Sequence, residues 1–291
     1  MESTLNSFPI FEATGVRGSH VVTDPLFQHF GGDTTSLLLT SSRGDRLLVD
    51  AGSGLFRLNP RLKSDKAVHL FLSHPHVDHI TGILFFDPLF YKNREITIYC
   101  SASTQQALKK FFGPPLFPVS IEDIPSPPKW SLLPTEGGSA TFTIPSFTCE
   151  AIPIPHPGGA FALLVTETET GHSLLVLNDC EFNPDEPFEQ QPGLQPLLTS
   201  LAKKGPVDSV IIDAMYEPEE LAKHKGWGHS DYQTAIRFGR HIQARQIYLS
   251  HHNPTASDAL LQKRQESIAF TNVSILRQNH QHPWSFSPCN N

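Results

Sequence analysis

Short apolar runs that break off at polar, metal-capable residues set the rhythm of this chain. Val68 to Leu72 stops at Ser73-His74-Pro75-His76-Val77-Asp78-His79. Arg46 to Val49 stops at Asp50-Ala51-Gly52, Ser173 to Leu177 at Asn178-Asp179-Cys180, Ser209 to Ile212 at Asp213, and Gln246 to Leu249 at Ser250-His251-His252. Runs this short, bounded by turn residues, read as buried strands, and their C-terminal ends deliver the polar groups into loops. Ala140 to Thr143 and Thr148 to Ile152 alternate in the same sense, the second leading to His156-Pro157-Gly158-Gly159.

Between the strands the spacing predicts helices over Ile80 to Phe86, Thr104 to Phe112 with Gly113-Pro114 as its stop, and Leu194 to Lys203. A short acidic helix follows over Glu217 to Glu220. Two more start at apparent capping boxes, Ser230 with Gln233 and Thr255 with Asp258. Alternating strands and helices make an α/β class, read as one domain over 1–291 with the tail after about Arg277 unassigned. His280 and His282 in that tail read as surface residues. The proline-rich stretch from Gly113 to Pro134 reads as an irregular surface crossing.

Composition narrows the setting. With a net charge of −7 and a pI near 6.1, broad electrostatic binding to a polyanion is disfavoured, which argues against nucleic acid as a partner. No apolar run approaches the roughly 20 residues of a membrane span. Met1 to Ser7 carries no basic segment ahead of an apolar one, so a cytoplasmic location is expected. The four cysteines, Cys100, Cys149, Cys180 and Cys289, are scattered and read as reduced thiols.

The chemistry concentrates at His74 to His79. His74 and His76 lie two apart and point the same way in extended chain, whereas adjacent Asp78 and His79 must diverge toward a second position. That layout suits two metal ions. Imidazole nitrogens with a carboxylate favour zinc, and manganese or iron once oxygen donors are added. The plain alternative, a loop of surface histidines, does not account for four donors within six positions at a strand end.

This motif resembles the metallo-β-lactamase superfamily of dinuclear metallohydrolases. Gly15-Val16-Arg17-Gly18-Ser19, Gly31-Gly32-Asp33-Thr34 and Leu48-Val49-Asp50-Ala51-Gly52-Ser53-Gly54 look like its branch near ribonuclease Z and cyclic-nucleotide phosphodiesterases. The resemblance implies a four-layer αββα sandwich and a homodimer. It implies a first metal held by His74, His76, His156 and Asp179, and a second held by Asp78, His79, Asp179 and His251. By alternation only one of Asp179 and Cys180 points inward, and the resemblance favours Asp179 as the shared carboxylate. The stretch from Val68 to His74 is similar in pattern to Gln246 to His251, which makes His251 the last ligand and leaves His252 behind it or at the substrate. Asp213-Ala214-Met215-Tyr216 followed by Gly228-His229-Ser230 resembles the ribonuclease Z acid pair, with His229 at the leaving oxygen and Asp213 orienting it. Arg17, a guanidinium in a glycine loop, is expected to contact substrate phosphate.

The function expected on these grounds is a dinuclear phosphodiesterase acting on a small nucleotide, with a 3′,5′-cyclic one the leading candidate. A hydroxide bridging the ions would attack phosphorus, with Asp78 orienting or deprotonating it. A transfer-RNA 3′-end endonuclease is the nearest alternative, although the long basic arm such enzymes usually carry has no counterpart here. A lactone or thioester hydrolase, which has no need of His229, and a metal-bound binding protein without turnover are the others.

Overall fold

A computed structural model of the chain describes residues 8–134 and 138–284. Strands β1 (Ile10–Gly15), β2 (Ser36–Thr40), β3 (Arg46–Val49), β4 (Ala67–Phe71), β5 (Glu95–Ser101) and β6 (Lys129–Leu133) belong to one sheet. A second sheet holds β7 (Ala140–Ile144), β8 (Phe147–Ile154), β9 (Ala160–Glu167), β10 (Ser173–Leu177), β11 (Ser209–Asp213), β12 (Gln246–Ser250) and β13 (Val273–Ile275). The last strand, β14 (Gln281–Pro283), returns to the first sheet and pairs antiparallel with β1. Each sheet opens as an antiparallel meander and continues as parallel strands, β3 to β6 in one and β10 to β13 in the other. Those parallel halves carry the strand ends on which the polar clusters sit.

The unbroken apolar runs follow from burial on both faces. In β2, Leu37 and Leu39 enter the core between the sheets with Phe11, Phe71, Leu163 and Val176, while Leu38 faces an outer core with Leu48, Leu70 and Leu108. In β11, Ile211 points between the sheets and Val210 and Ile212 point to the helices of the other outer layer. Helices Ala102–Phe111 on one side, and Gln195–Lys204, Tyr232–His241 and Asp258–Ser267 on the other, complete the αββα sandwich. Among the described residues no helix is long and apolar enough to cross a membrane.

Several local expectations need correction. Lys129–Leu133 is an edge strand parallel to β5, where prolines 125, 127 and 128 suggested an irregular crossing; an edge position tolerates such a lead-in. Strand β9, unforeseen, fills the sheet between β8 and β10. Two helix caps lie one or two residues beyond the expected ones. Asp231 accepts from Gln233 N and Thr234 N, and Ser257 accepts from Leu260 N, because these are the side chains within reach of the first turn. Ser230 instead accepts from Phe182 N and donates to Cys180 O.

The tail is built into the protein up to Trp284, which is fully buried. His282, expected at the surface, lies 5.1 Å from the Phe11 ring and 4.9 Å from that of Tyr248, and burial pushes its imidazole down to about 4. Cys100, Cys149 and Cys180 are buried free thiols, and Cys289 lies outside the described residues.

Candidate metal centre

Four strand ends and one short helix assemble the site. His74 and His76 follow β4, and the helix Val77–Ile80 turns Asp78 and His79 in beside them. His156 follows β8, Asp179 follows β10 and His251 follows β12. Asp179 and His251 have left-handed backbones, at φ +52° and +57°, as does Asp50 at the end of β3, at +61°. Asp and His are among the residues that tolerate this region, and the abrupt turn takes each side chain out of the sheet's alternation.

Two donor groups result. His74, His76, His156 and Asp179 form one, and Asp78, His79, Asp179 and His251 the other; within each, the ligand atoms lie within 4.8 Å of one another. Asp179 divides its oxygens between them. Its Oδ2 is 3.4 Å from His74 Nε2 and 3.8 Å from His156 Nε2, while Oδ1 is 2.9 Å from His251 Nε2 and 3.2 Å from His79 Nε2. His156 Nε2 stands 3.0 Å from His76 Nδ1, and His79 Nε2 3.2 Å from His251 Nε2. His76 is exposed and His156 half-buried, which marks the open side.

The donors fit divalent cations. His74 Nε2 and Asp179 Oδ1 are buried without a hydrogen bond, although Oδ1 is only 2.9 Å from His251 Nε2. Atoms that approach this closely without aligning for hydrogen bonds are converging on a common point. Burying such groups unpaired is costly, and ion coordination removes the cost. The electrostatics agree. Burial, and then the neighbouring His79, pushes His74 below the ordinary imidazole range, and burial pushes His156 down to about 3, leaving both neutral as ligands must be. Burial also opposes charge on His79 and His251, yet the surrounding carboxylates outweigh it. Asp179, Asp78 and Asp50 raise His79 well above its usual value, and Asp179, Asp78 and Asp213 raise His251 to about 10. The pocket therefore draws positive charge.

Outer contacts orient the rings, and sequence reasoning missed them. Asp50 accepts from Ser73 N at 2.8 Å, from Ser73 Oγ at 3.0 Å and from His79 Nδ1 at 2.9 Å. Ser73 Oγ also meets His74 Nδ1 at 3.0 Å, and His156 Nδ1 meets Gly228 O at 3.1 Å. In His74, His79 and His156 these contacts occupy Nδ1 and leave Nε2 facing the donors, the usual support for ligating imidazoles. The available signal for Asp50 was its place at the end of an apolar strand, the same place that His74 region occupies after β4.

His229 and Asp213 stand at the edge of the centre. Asp213 Oδ2 is 2.7 Å from His229 Nδ1, and its Oδ1 accepts from Met215 N at 3.0 Å. The His229 ring stacks on His251 with centroids 5.0 Å apart. Asp213 and His229 also group with Asp179 and His251 as potential donors, but their short mutual hydrogen bond marks them as a pair beside the ions.

Arg17 and His252 are not brought to the substrate side. Arg17 is fully buried, donating from Nε to Gly31 O at 2.7 Å and from Nη1 to Asn253 O at 3.1 Å and Ala256 O at 2.6 Å. Its guanidinium is used to tie the glycine loops to the segment after His251. His252 is also fully buried, with Nε2 2.9 Å from Leu276 O. The first glycine loop reaches the centre by other means: Ser19 N donates to Asp78 Oδ2 at 2.7 Å. Gly18 passes so close to His251 that a Cβ there would lie 2.3 Å from Cε1.

With this centre at the strand ends of an αββα sandwich, the chain defines itself as a metal-dependent hydrolase of the β-lactamase superfamily, to which it belongs: the superfamily's domain matches residues 45–252, a span holding all seven donors and the Asp213–His229 pair. Among individual relatives, the ribonuclease Z of Azobacteroides pseudotrichonymphae genomovar. CFP2 is 25% identical over 262 residues, covering 81% of this chain and 88% of that protein. The metallo-β-lactamase fold protein YhfI from Bacillus subtilis has a similar structure, with a TM-score of 0.68 at 17% identity over 95% of this chain and 99% of its own. A diphosphatase from the PhnP family gives a TM-score of 0.67 at 16% identity, over 97% and 99% of the two chains.

Proposed function

We propose that this protein is a dinuclear phosphodiesterase acting on a small nucleotide phosphodiester, with 3′,5′-cyclic nucleotides the leading substrates. The observation that carries the reading is the 2.7 Å Asp213–His229 pair stacked against His251 at the edge of the donor cluster. Lactone and thioester hydrolysis give no evident task to such a pair; a phosphodiester, with an alkoxide to expel, does. When bound, a pair of divalent ions, zinc being the first choice, supplies positive charge for a phosphoryl group and acidity for a water. Asp78 orients that water and takes its proton. Asp213 occupies His229 Nδ1, which leaves Nε2 to hold or protonate the departing oxygen.

Size and charge support a small substrate. A cavity of about 330 Å³ opens beside His156, lined by Glu181, Asn183, Glu186 and Gln191 together with proline and glycine backbone, and no Lys or Arg is among its lining residues. Such a wall suits an uncharged, donor-bearing nucleoside better than a run of phosphates. A second reading, a transfer-RNA 3′-end endonuclease, is favoured by the ribonuclease Z relative, whose similarity extends over 81% of this chain.

One panel separates the readings. Zinc-loaded protein is assayed on 3′,5′-cyclic nucleotides and a precursor transfer RNA, with Asp78→Ala as control. Ring opening that the variant lacks, without RNA cleavage, supports the proposal, and cleavage of RNA alone replaces it with the second reading. In the same preparation, the mass in solution tests the homodimer expected of this branch.

A further inference from the structure

His229 is carried by a turn, Gly226-Trp227-Gly228, in which Trp227 N donates to His224 O at 3.1 Å and the Trp227 ring lies 5.1 Å from that of His224. Both glycines have left-handed backbones, at φ +86° and +88°, and Trp227 is 63% exposed. Both glycine N–H groups of the turn are held by the half-buried carboxylate of Glu181, two residues beyond the shared ligand Asp179. Gly226 N donates to Glu181 Oε1 at 2.8 Å and to Oε2 at 2.9 Å, and Gly228 N donates to Oε2 at 2.8 Å. On the far side of His229, Ser230 Oγ donates to Cys180 O at 2.6 Å and accepts from Phe182 N at 3.0 Å. Residues 180–182 therefore grip the chain on both flanks of His229.

The same turn controls a ligand. Gly228 O meets His156 Nδ1 at 3.1 Å, and with the ring proton committed there, Nε2 is free to coordinate. The fit is close, since a Cβ at Gly228 would lie 2.0 Å from His156 Nδ1. A shift of this turn would move His229 and loosen His156 together.

We propose that Glu181 is a positioning residue: by clamping the 226–228 turn, it fixes where His229 meets the leaving oxygen and keeps His156 in its ligating tautomer. The part concerning His229 rests on the phosphodiesterase reading. A carboxylate is required because both of its oxygens accept, Oε1 from Gly226 N and Oε2 from Gly226 N and Gly228 N. The amide of a Glu181→Gln variant would turn its NH₂ toward one of those donors, and alanine offers no acceptor.

The test uses the full-length, zinc-loaded protein with 3′,5′-cyclic AMP, whose alkoxide leaving group needs the hydrogen bond or proton assigned to His229. At saturating zinc, Glu181→Ala is expected to lower kcat by roughly 100-fold, the scale of a misplacement near 1 Å, with KM within about twofold, and in chelator competition to weaken zinc binding by roughly 10-fold through His156. Glu181→Gln, which preserves shape should the alanine variant fold poorly, is expected to fall between the two. In a His229→Ala background, the same Glu181 change is expected to cost less than about threefold, since Glu181 acts through His229. Losses that multiply in the double variant at saturating zinc, a rise in KM in place of the kcat loss, or zinc affinity equal to that of the wild type would each overturn the assignment. Histidine-ring NMR separates this idea from the function on which it rests. If the wild type has no turnover, the phosphodiesterase reading fails, and the ring spectra still decide the clamp. Displacement of the hydrogen-bonded Nδ1–H signals of His156 and His229 in Glu181→Gln supports it, and unaltered signals reject it.

Discussion

Replacing Asp50 with asparagine changes one atom and tests how the centre is held. Oδ1 of Asp50 accepts from Ser73 N, and Oδ2 accepts from both Ser73 Oγ and His79 Nδ1. The amide can be placed in two ways. With its oxygen toward Ser73 N, its NH₂ faces His79 Nδ1, which must then become an acceptor. The ring proton moves to Nε2, the nitrogen that lies 3.2 Å from Asp179 Oδ1 and 3.2 Å from His251 Nε2. His79 would be in the wrong tautomer to ligate. With the amide reversed, NH₂ meets Ser73 N–H, two buried donors face each other, and the cost is about 1–3 kcal/mol. Loss of such an outer partner typically weakens metal affinity by roughly 10- to 100-fold, or about 1.4–2.8 kcal/mol, so both routes give the same scale. The assay is competition for zinc against a calibrated chelator near neutral pH, with far-UV spectra confirming the fold. An Asp50→Asn variant that binds both ions as tightly as the wild type would refute the argument that Asp50 sets the His79 tautomer.

Three further outcomes follow from the geometry. Gly228→Ala must accommodate a Cβ 2.0 Å from His156 Nδ1 at φ +88°, and is expected to weaken zinc binding by roughly 10- to 100-fold; Gly205→Ala, at φ +82° with open space around it, is expected to lose about 1–2 kcal/mol of stability with zinc affinity unchanged. In the metal-free protein, His79 is raised well above its usual value and His251 to about 10. Their contribution to stability is fully present below the unfolded value near 6.5 and is lost as pH rises toward 10, so the Tm of the metal-free form should fall across that window. A metal-free Tm that climbs with pH over the same range would contradict the charge balance drawn here. Asp213→Asn is expected to reduce kcat on a phosphodiester by roughly 100-fold with metal content intact, and loss of metal in that variant would make the pair structural.

Much of the centre was readable in the sequence because its donors are tied to strand ends. Alternation separated His74 and His76 from Asp78 and His79, and the repeated pattern of strand, serine and histidine pointed to His251. What alternation could not supply was orientation beyond the strand. Arg17 sits in a glycine loop that touches the centre, yet its side chain turns inward to three carbonyls; only the backbone of Ser19 reaches Asp78. Asp50 looked like an ordinary strand terminus because its partners, Ser73 and His79, come from a different strand end, and pairing across strands leaves no trace in a single run. Gly228 acts through its carbonyl, which every residue has. The edge strands β6 and β14 were missed for a related reason: prolines and a polar tail mask short segments whose strand character comes from the neighbours they pair with, β5 and β1.

The most direct test of a two-ion centre sharing Asp179 is elemental analysis of purified protein after zinc loading and removal of loose metal. The wild type should retain two equivalents per chain and Asp179→Ala at most one, since that carboxylate belongs to both donor groups. A single equivalent in the wild type, or two retained in the variant, would contradict the account.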